Sequence, residues 1–349
     1  MRVAVVILNW NGKGLLERLL PALVEHTHVP QPHLVDLIVA DNGSTDGSLE
    51  FVQSQYPDTV QTMDLHRNHG FAEGYNRALA DLQADCAVLL NSDVEVSPQW
   101  LEPLLVFMNE HPEVAACQPK IRSFYQRDQF EHAGAAGGYI DALGFPFCRG
   151  RMMAVVEKDK GQYDCIRDVF WTSGACMCVR LDRYREVGGL DARFFAHMEE
   201  IDLCWRLKSK GYRLVCVPQS VVYHMGGATL DVENPQKVFL NYRNNLLMLY
   251  KNETPRRWRW LWIVRFFMDY LAAVVFLFQG KPKHANAIWR ARVDFKSMRR
   301  SYKDQRTQIH LQAKTHAFAE RYKGSLLLDY YLLGKRRFQD LSIAKNLHH

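Results

Sequence analysis

The sequence predicts an α/β fold, with a mixed, mostly parallel sheet flanked by helices and followed by a helical C-terminal region. Apolar runs typical of strands alternate with helical patterns over the first part of the chain. Each of these runs ends in a polar, glycine-containing or acidic turn. Because strands that alternate with helices form parallel, right-handed crossovers, these turns are expected at one edge of the sheet, where ligands bind.

The individual elements follow from local apolar patterns. Runs typical of strands are Val3–Leu8, Leu34–Ala40, Val60–Leu65 and Cys86–Leu90, with later strands in Val169–Val179, Tyr212–Pro218 and Ser220–His224. Helical spacing marks Leu15–Leu23, Ser48–Gln55, Tyr75–Leu82 and Phe239–Tyr250. Residues 120–168 are less regular and glycine-rich at 133–138, which indicates a loop or hairpin region near the site. There Arg149 and Arg151 either meet a phosphate or an anionic acceptor, or belong to a solvated surface.

Composition limits the class of protein. The 349 residues are 48% hydrophobic, which is ordinary for a soluble protein and excludes a disordered chain or a polytopic membrane protein. The eight cysteines lie mostly among apolar neighbours without CxxC pairs, a pattern typical of buried free thiols in a reducing compartment. The N-terminal segment lacks the long apolar core and cleavage site of a signal peptide. We therefore expect a cytoplasmic protein.

The charge distribution divides the chain in two. Residues 1–234 carry 21 Lys and Arg against 31 Asp and Glu, a net charge of −10, whereas residues 235–349 carry 23 against 7, a net charge of +16. Two regions of opposite charge suggest different partners. We predict a catalytic domain over residues 1–230 and a basic, aromatic-rich helical region over residues 231–349.

The turn after the strand Cys86–Leu90 is the first candidate for chemistry. Its residues Asn91, Ser92 and Asp93 follow a run that is apolar on both faces. A carboxylate in this place suits a hard cation such as Mg²⁺ or Mn²⁺, which in turn can hold phosphates. The structural alternative is that Asp93 only caps an Asx turn.

Other turns at the same predicted edge suit a nucleotide. The oxygens of Asp41 can accept hydrogen bonds from a base or a ribose, and Gly70 and Gly74 allow a ligand close to the backbone, although ordinary strand–helix loops use the same residues. The sequence contains neither GxGxxG nor GxxxxGK[ST]. This absence argues against a classical dinucleotide fold and against a P-loop NTPase.

Four segments together resemble a known family. ILNWNG at 7–12, DNGSTDGS at 41–48, NHGFAEGYN at 68–76 and LLNSDVEV at 89–96, in this order and spacing, resemble the family 2 glycosyltransferases of the GT-A fold, in particular the rhamnosyltransferase-like branch. The resemblance covers about the first 230 residues. It implies a nucleotide-diphosphate sugar donor, a divalent metal, Mg²⁺ or Mn²⁺, and inversion at the anomeric carbon.

The resemblance also implies roles for individual residues. Asp41 would contact the base, and Asp93 would ligate the metal in a DxD-like motif that has Asn91 where an Asp could stand. His224, otherwise a structural histidine at a strand end, would complete the metal site. The full set predicted to bind the donor is Asn9, Asp41, Asn68, Gly70, Asn76, Asn91, Ser92, Trp171 and Gly174.

A second acidic segment supplies the candidate base. Inverting transfer requires a carboxylate to take the proton of the attacking hydroxyl. FFAHMEEIDLCWR at 194–206 resembles the family's E-D-x-D-L-x-x-R helix, whose second acid is the base; that position is Glu200, with Glu199 as the substitute. The two neighbouring acids are expected to raise each other's pKa. Asp202 and Arg206, four residues apart, are expected to pair on the helix surface.

The basic region contains an apolar stretch, Leu261–Phe278, of nearly membrane-spanning length. Arg265 and Asp269 interrupt it at a spacing that lets them pair, and Lys281 and Lys283 follow it. This pattern favours a helix in the interface of an anionic membrane; a helix packed on the catalytic domain and a true span are the alternatives. Residues 290–306 are basic and predict a solvated helix.

The sequence therefore predicts transfer of a sugar from a UDP- or dTDP-sugar to a hydroxyl of a cell-surface glycan or lipid-linked acceptor, at the inner face of the cytoplasmic membrane. One alternative is a sugar-nucleotide pyrophosphorylase, which needs a basic N-terminal glycine loop where this chain offers only Lys13. The other is a non-enzymatic protein with a nucleic-acid-binding or membrane-binding arm. Tryptophans interleaved with the basic residues favour a membrane, so no nucleic acid partner is expected.

Overall fold

The computed structural model describes residues 1–131, 134–226 and 234–346. Its strands are β1 (Arg2–Asn9), β2 (Leu34–Asp41), β3 (Val60–Asp64), β4 (Cys86–Asn91), β5 (Val94–Val96), β6 (Val114–Ser123), β7 (Gly138–Ile140), β8 (Pro146–Cys148), β9 (Arg151–Met152), β10 (Val155–Val156), β11 (Arg167–Asp168), β12 (Cys176–Arg180) and β13 (Arg213–His224). Its α-helices are α1 (Lys13–His26), α2 (Ser48–Gln55), α3 (Gly70–Leu79), α4 (Glu102–Glu110), α5 (Leu181–Glu186), α6 (Glu199–Ser209), α7 (Pro235–Asn252), α8 (Pro255–Phe278), α9 (Pro282–Met298), α10 (Lys303–Gln312), α11 (Leu326–Tyr331) and α12 (Ser342–Asn346).

The predicted α/β sheet is confirmed. Its strand order is β11-β13-β6-β12-β4-β1-β2-β3, with β5 paired to β13. Strands β4, β1, β2 and β3 are parallel, and β12 runs antiparallel to β4. In this register Asn9 lies beside Asp41, and Leu8 lies beside Asn91. The turns that follow these strands therefore meet at one edge of the sheet, as the alternation of strands and helices predicted.

Two boundaries differ from the prediction. Helix α3 begins at Gly70 rather than at Tyr75, so most of the NHGFAEGYN segment is the first turns of a helix. The two strands predicted at 212–218 and 220–224 form one strand, β13, with a register shift between Val217 and Val221. Pro218 lies within that shift, because a proline has no N–H for the ladder and is tolerated where pairing is interrupted.

Residues 138–156 form a second sheet of four short antiparallel strands in the order β10-β9-β8-β7, which confirms the predicted hairpins. Residue 133 of the glycine-rich stretch lies outside the described residues. Arg149 is buried beneath this sheet, where its Nε donates to the carbonyl of Ala136 at 2.9 Å. Arg151 Nε donates to the carbonyl of Met153 at 3.0 Å. The structure assigns Arg149 to the protein interior rather than to an anionic ligand.

The C-terminal helices share a hydrophobic core with the sheet. Leu246–Leu249 of α7, Trp258 of α8 and Phe295 of α9 belong to the same buried cluster as Tyr75 and Trp205. The predicted boundary between residues 230 and 231 lies outside the described residues. Because the two parts share a core, removal of everything after residue 235 would expose the apolar surface of the catalytic part.

Helix α8 buries one stripe and exposes another. The predicted pair of Arg265 and Asp269 is confirmed, with Nε and Oδ1 3.1 Å apart, and it lies in the buried stripe. Arg292 of α9 joins this pair from a buried position, so the predicted solvated helix over 290–306 is solvated on one face only. Among the described helices, α8 alone is long and apolar enough to cross a membrane, and 22% of its apolar stretch is buried.

Candidate active site

A network of amides and carboxylates joins the ends of β1 and β2. Asn9 is buried, and its Nδ2 donates to Asp41 Oδ1 at 3.1 Å and to Ser44 Oγ at 3.2 Å. The other carboxylate oxygen of Asp41 accepts the backbone N–H of Ser44 at 2.8 Å. Asn9 Oδ1 is buried without a hydrogen-bond partner among the described residues. The predicted neighbours Asn9 and Asp41 therefore form one unit.

The next turn is attached to this unit through Asn42. Asn42 Nδ2 donates to Asn68 Oδ1 at 3.2 Å and to the carbonyl of Gly70 at 3.1 Å. Asn68 Oδ1 also accepts the N–H of Gly70 at 2.8 Å. Gly70 has a φ of +77°, and an added Cβ would lie 2.7 Å from the ring of Phe195. A glycine is required here by both the backbone conformation and the close ring.

Asp93 and His224 come together from sequence positions 131 residues apart. The first follows β4 and the second ends β13, and His224 Nε2 lies 3.1 Å from Asp93 Oδ1. On the other side of the imidazole, Nδ1 lies 3.5 Å from Glu131 Oε1. All three side chains are buried. Although burial alone would lower the pKa of His224, the two carboxylates raise this pKa to about 10.

The Asp93–His224 pair fits a divalent cation whose other ligands come from the substrate of the protein and from water. Within the described ranges, no cluster of three or more His, Cys, Asp and Glu side chains is arranged to hold a metal ion. Asp93 and His224 nevertheless offer one carboxylate and one imidazole that already face each other. Mg²⁺ and similar ions are commonly held by one or two protein ligands while phosphates and waters complete the shell. A cation bound here would take the place of the direct contact between Asp93 and His224.

The acid pair lies at the first turn of α6. Glu199 is buried and Glu200 is partly exposed, and each has one buried carboxylate oxygen without a hydrogen-bond partner in the described part of the chain. Burial raises the pKa of Glu200 to about 7, and burial together with the neighbouring Glu200 raises the pKa of Glu199 well above its usual value. The predicted effect of one acid on the other is thus present at Glu199, whereas burial accounts for the raised pKa of Glu200. At neutral pH such a pair readily holds or accepts one proton.

The residues that precede β12 connect the acid pair to the turn that contains Asp93. An added Cβ on Gly174 would lie 3.7 Å from the Cβ of Glu200. The neighbouring Ala175 carbonyl accepts the N–H of Asn91, two residues before Asp93. Ser92 lies on the opposite side of this turn, close to Gly12. The predicted residues Asn91, Ser92, Asp93, Gly174 and Glu200 therefore surround one part of the sheet edge.

Two predicted donor contacts have other roles in the structure. Asn76 uses its whole amide within the protein: Nδ2 donates to the carbonyl of Leu190 at 2.8 Å, and Oδ1 accepts from the N–H of Leu190 and from Tyr184. Trp171 is buried against Gly138 and donates from Nε1 to the carbonyl of Tyr139 at 2.9 Å. These contacts favour a positioning role for Asn76 and a core role for Trp171 over direct binding of the donor.

Asp202 also differs from its prediction. It pairs with Arg206 as expected, with 3.0 Å between Oδ2 and Nη2, but both side chains are buried rather than on the helix surface. Sequence reasoning missed Asn42 and Glu131 as site residues. Asn42 is adjacent to Asp41 in a turn that was already suspected, whereas Glu131 lies in the irregular region and carries no local signal.

Comparisons with known proteins identify the family. The model of glycosyl transferase family 2 matches residues 4–165, and that of glycosyl transferase family group 2 matches residues 87–293. The N-acetylglucosaminyl-diphospho-decaprenol L-rhamnosyltransferase of Mycobacterium tuberculosis is 31% identical over 235 residues, which cover 63% of this chain and 75% of the relative.

Solved structures show the same fold. GalNAc-T7 with UDP, GalNAc and Mn²⁺ aligns with a TM-score of 0.56 and 16% identity over 72% of this chain, but over only 48% of its own. The mannosyltransferase PcManGT from Pyrobaculum calidifontis, in complex with GDP-Man and Mn²⁺, aligns with a TM-score of 0.52 and 16% identity over 89% of this chain and 84% of its own. Together with the family matches, these likenesses lead to one conclusion: the chain belongs to glycosyltransferase family 2, in its rhamnosyltransferase-like branch.

Proposed function

We propose that this glycosyltransferase moves a sugar, with inversion, from a UDP- or dTDP-sugar to a hydroxyl of a lipid-linked or growing glycan. The observation that carries the proposal is that residues 174 and 175 contact both pairs' surroundings: Gly174 lies close to Glu200, and the Ala175 carbonyl accepts the N–H of Asn91 in the turn that holds Asp93. Membership of the family supports sugar transfer and argues against the pyrophosphorylase and the nucleic-acid-binding alternatives.

The donor is assigned to the side of the site formed by β1, β2 and β4. Asn9 and Asp41 present amide and carboxylate oxygens to the base and ribose. The other residues assigned to the donor on this edge are Asn68, Gly70, Asn91, Ser92 and Gly174. A carboxylate that accepts from base or ribose donors gives selectivity for the nucleotide, because a wrong partner would leave it unpaired.

A divalent metal, Mg²⁺ or Mn²⁺, is assigned to Asp93 and His224, where it would neutralise the leaving diphosphate. Solved structures of the same fold that contain Mn²⁺ beside a nucleotide or nucleotide sugar support this assignment. Glu131 would accept the Nδ1–H of His224 and so present Nε2 to the cation, as carboxylates behind ligating histidines do.

The acceptor is assigned to the side of α6. Glu200 takes the proton of the acceptor hydroxyl as its oxygen bonds to the anomeric carbon and the bond from that carbon to the diphosphate breaks. Partial exposure lets Glu200 reach an acceptor, whereas Glu199 is buried behind it. A pKa of about 7 suits this task, because the carboxylate is available at neutral pH and still has appreciable basicity.

A lipid-linked acceptor fits both the relative and the surface of α8. The name of the M. tuberculosis relative specifies an acceptor in which a sugar is linked to diphospho-decaprenol. An outer stripe of α8 is exposed and wholly apolar, at a spacing of three or four residues: Trp260, Ile263, Phe267, Leu271, Val274 and Phe278. Exposed Arg256 and Arg259 precede this stripe and Lys283 follows it. We assign the stripe to the interface of an anionic membrane, at the inner face of the cytoplasmic membrane.

The double substitution Phe267→Glu and Leu271→Glu is expected to lower partition onto vesicles with anionic lipid by at least about tenfold. The reason is that both side chains, 68% and 65% exposed, would leave the apolar phase and add negative charge. Co-sedimentation with vesicles measures the effect. Leu311→Glu, at an equally exposed leucine of α10, is the matched control. Equal partition of the double variant and the parent would remove the membrane from this proposal.

Glu131→Gln is expected to weaken Mn²⁺-dependent binding of UDP or dTDP by about 10- to 100-fold, because the carboxylate that orients His224 is lost. Calorimetric titration of the nucleoside diphosphate at several Mn²⁺ concentrations measures this. Glu157→Gln is a control at another buried glutamate of the same region, which accepts from Tyr163 instead. An unchanged metal requirement in Glu131→Gln would show that His224 needs no orienting carboxylate.

The direct test of the proposed function is a thermal-shift screen with UDP- and dTDP-sugars, in Mn²⁺ and in EDTA. Nucleotide sugars that stabilise the protein are then assayed as donors for transfer to a synthetic N-acetylglucosaminyl-diphospho-lipid. We expect stabilisation by a subset of the donors that depends on the metal. Absence of any stabilisation, together with absence of transfer, would overturn the proposal.

A further inference from the structure

The segment that leads into the acid pair is held from the C-terminal part of the chain. Asn244 of α7 points its Nδ2 at three backbone carbonyls, those of Phe194 at 3.0 Å, Ala196 at 2.8 Å and His197 at 2.8 Å. Asn244 is fully buried. One amide group that faces three carbonyls fixes the path of residues 194–197 much more closely than a single hydrogen bond would.

The remaining carbonyls of this segment are satisfied as well. Arg243 donates to the carbonyl of Arg193 at 3.4 Å and to that of Phe194 at 3.2 Å. The carbonyl of Phe195 accepts the N–H of Phe71, at the start of α3, at 3.1 Å. Every carbonyl from residue 193 to residue 197 therefore has a donor, and α7 supplies the donors for all but one of them.

This segment has an unfavourable backbone. Phe195, His197 and Met198 have φ angles of +66°, +70° and +74°, in the left-handed region that residues other than glycine rarely adopt. Such conformations persist only where surrounding contacts impose them, and they concentrate at functional sites. Here the imposing contacts come from α7, and the strained residues lead directly into Glu199 and Glu200.

One consequence of these unfavourable backbone angles is that Phe195 lies at the edge of the sheet. The ring of Phe195 is 52% exposed although it rests on Gly70, one of the turns assigned to the donor side. It precedes Glu200 by five residues, in a segment whose backbone is held by hydrogen bonds from α7. An exposed aromatic ring in the segment that leads into the proposed base suits the apolar face of a sugar.

A second set of contacts attaches α6 itself to α7. Lys251 Nζ lies 2.8 Å from Asp202 and 2.6 Å from Asp191, and Asn252 Nδ2 donates to Asp202 at 2.8 Å. Because Lys251 and Asp202 are both fully buried, the loss of either would remove one member of a buried network of charges that also includes Asp191 and Arg206. Helix α7 thus holds α6 and the segment that precedes it.

We propose that α7 is part of the catalytic centre, with residues 194–198 as an acceptor platform, Phe195 as the ring that stacks on the acceptor sugar, and Asn244 as the positioning residue that holds the platform. The proposal rests on the proposed function, because it names the acceptor side of that same site. It assigns no donor or metal contact to α7.

Asn244→Asp keeps the size of the side chain but turns a carboxylate toward three carbonyls. We expect kcat for transfer to the synthetic N-acetylglucosaminyl-diphospho-lipid to fall by about 10²-fold, since a small displacement of a catalytic group has effects of this size. Binding of the nucleoside diphosphate with Mn²⁺ should stay within about twofold. Asn245→Asp is the matched control, because this neighbour contacts Gly144 and Arg265 instead.

Phe195→Ala tests the platform by removing a half-exposed ring, and the melting temperature checks whether loss of its contact with Gly70 disturbs the start of α3. We expect the KM for the acceptor to rise about tenfold with donor binding unchanged, and Phe195→Tyr to restore it. If the parent transfers sugar and both Asn244→Asp and Phe195→Ala match it, the inference is overturned while the proposed function stands. If the parent neither binds the nucleotide nor transfers sugar, the proposed function itself fails, and the inference fails with it.

Discussion

Glu200→Gln is expected to lower transfer to the acceptor by roughly 10²–10⁴, the usual contribution of a positioned base, with donor and metal affinity nearly intact. The amide keeps the shape of the side chain but cannot take a proton. Since the base has no bond to the donor, slow hydrolysis of the nucleotide sugar by water can persist. Rates of transfer and of hydrolysis, measured side by side with donor affinity, separate these effects.

Glu199→Gln is the control, and it is expected to be the milder variant because Glu199 is buried behind its neighbour. If Glu200→Gln transfers sugar like the parent and Glu199→Gln is inactive, the base is Glu199 instead. Full transfer by both variants would remove the acid pair from the chemistry.

The pH dependence gives an independent check. Burial raises the pKa of Glu200 to about 7, and the base acts in its deprotonated form. Transfer by the parent should therefore be slow below this pKa, increase as pH passes through about 7, and level off above it. Glu200→Gln should lose this rise.

Asp93→Ala is expected to weaken metal-dependent binding of the nucleoside diphosphate by more than about 100-fold, a larger effect than the loss of an outer contact. His224→Ala should raise the metal concentration required, because the second ligand is lost. Calorimetry with UDP or dTDP, in Mn²⁺ and in EDTA, measures both.

Asp93→Asn is the matched control for folding, since it keeps the shape of the side chain beside His224. If it loses metal-dependent binding while the melting temperature stays near that of the parent, the loss belongs to the ligand and not to the fold. Equal transfer by the parent in EDTA and in Mn²⁺ would exclude the metal from this site.

Local sequence signals were sufficient for the first half of the sheet. The strands β1, β2, β3 and β4 are apolar runs of the right length that end in glycine and acidic turns, and both signals act within a few residues. The sequence pattern predicts the start of α3 at Tyr75 rather than at Gly70, because the glycines of this stretch also suit a loop. The packing of Gly70 against Phe195 is a tertiary contact that no local pattern shows. The irregular residues 138–156 carried little periodic signal because their strands have only two or three residues each.

The sequence by itself determined the fold class, the family, and the pairs Asp93–His224 and Glu199–Glu200 as candidates, because these depend on residue type and on order along the chain. Only the tertiary structure placed Glu131 3.5 Å from His224 and Asn244 against the segment that leads into the acid pair, since contacts between residues far apart in sequence leave no periodic trace. It also decided the character of the C-terminal region. A count of charges predicted a basic, aromatic-rich helical region, and in the structure three of its basic residues, Lys251, Arg265 and Arg292, are buried against carboxylates. Net charge reports how many charged groups a segment carries, whereas burial and pairing depend on which surface the folded chain places against them.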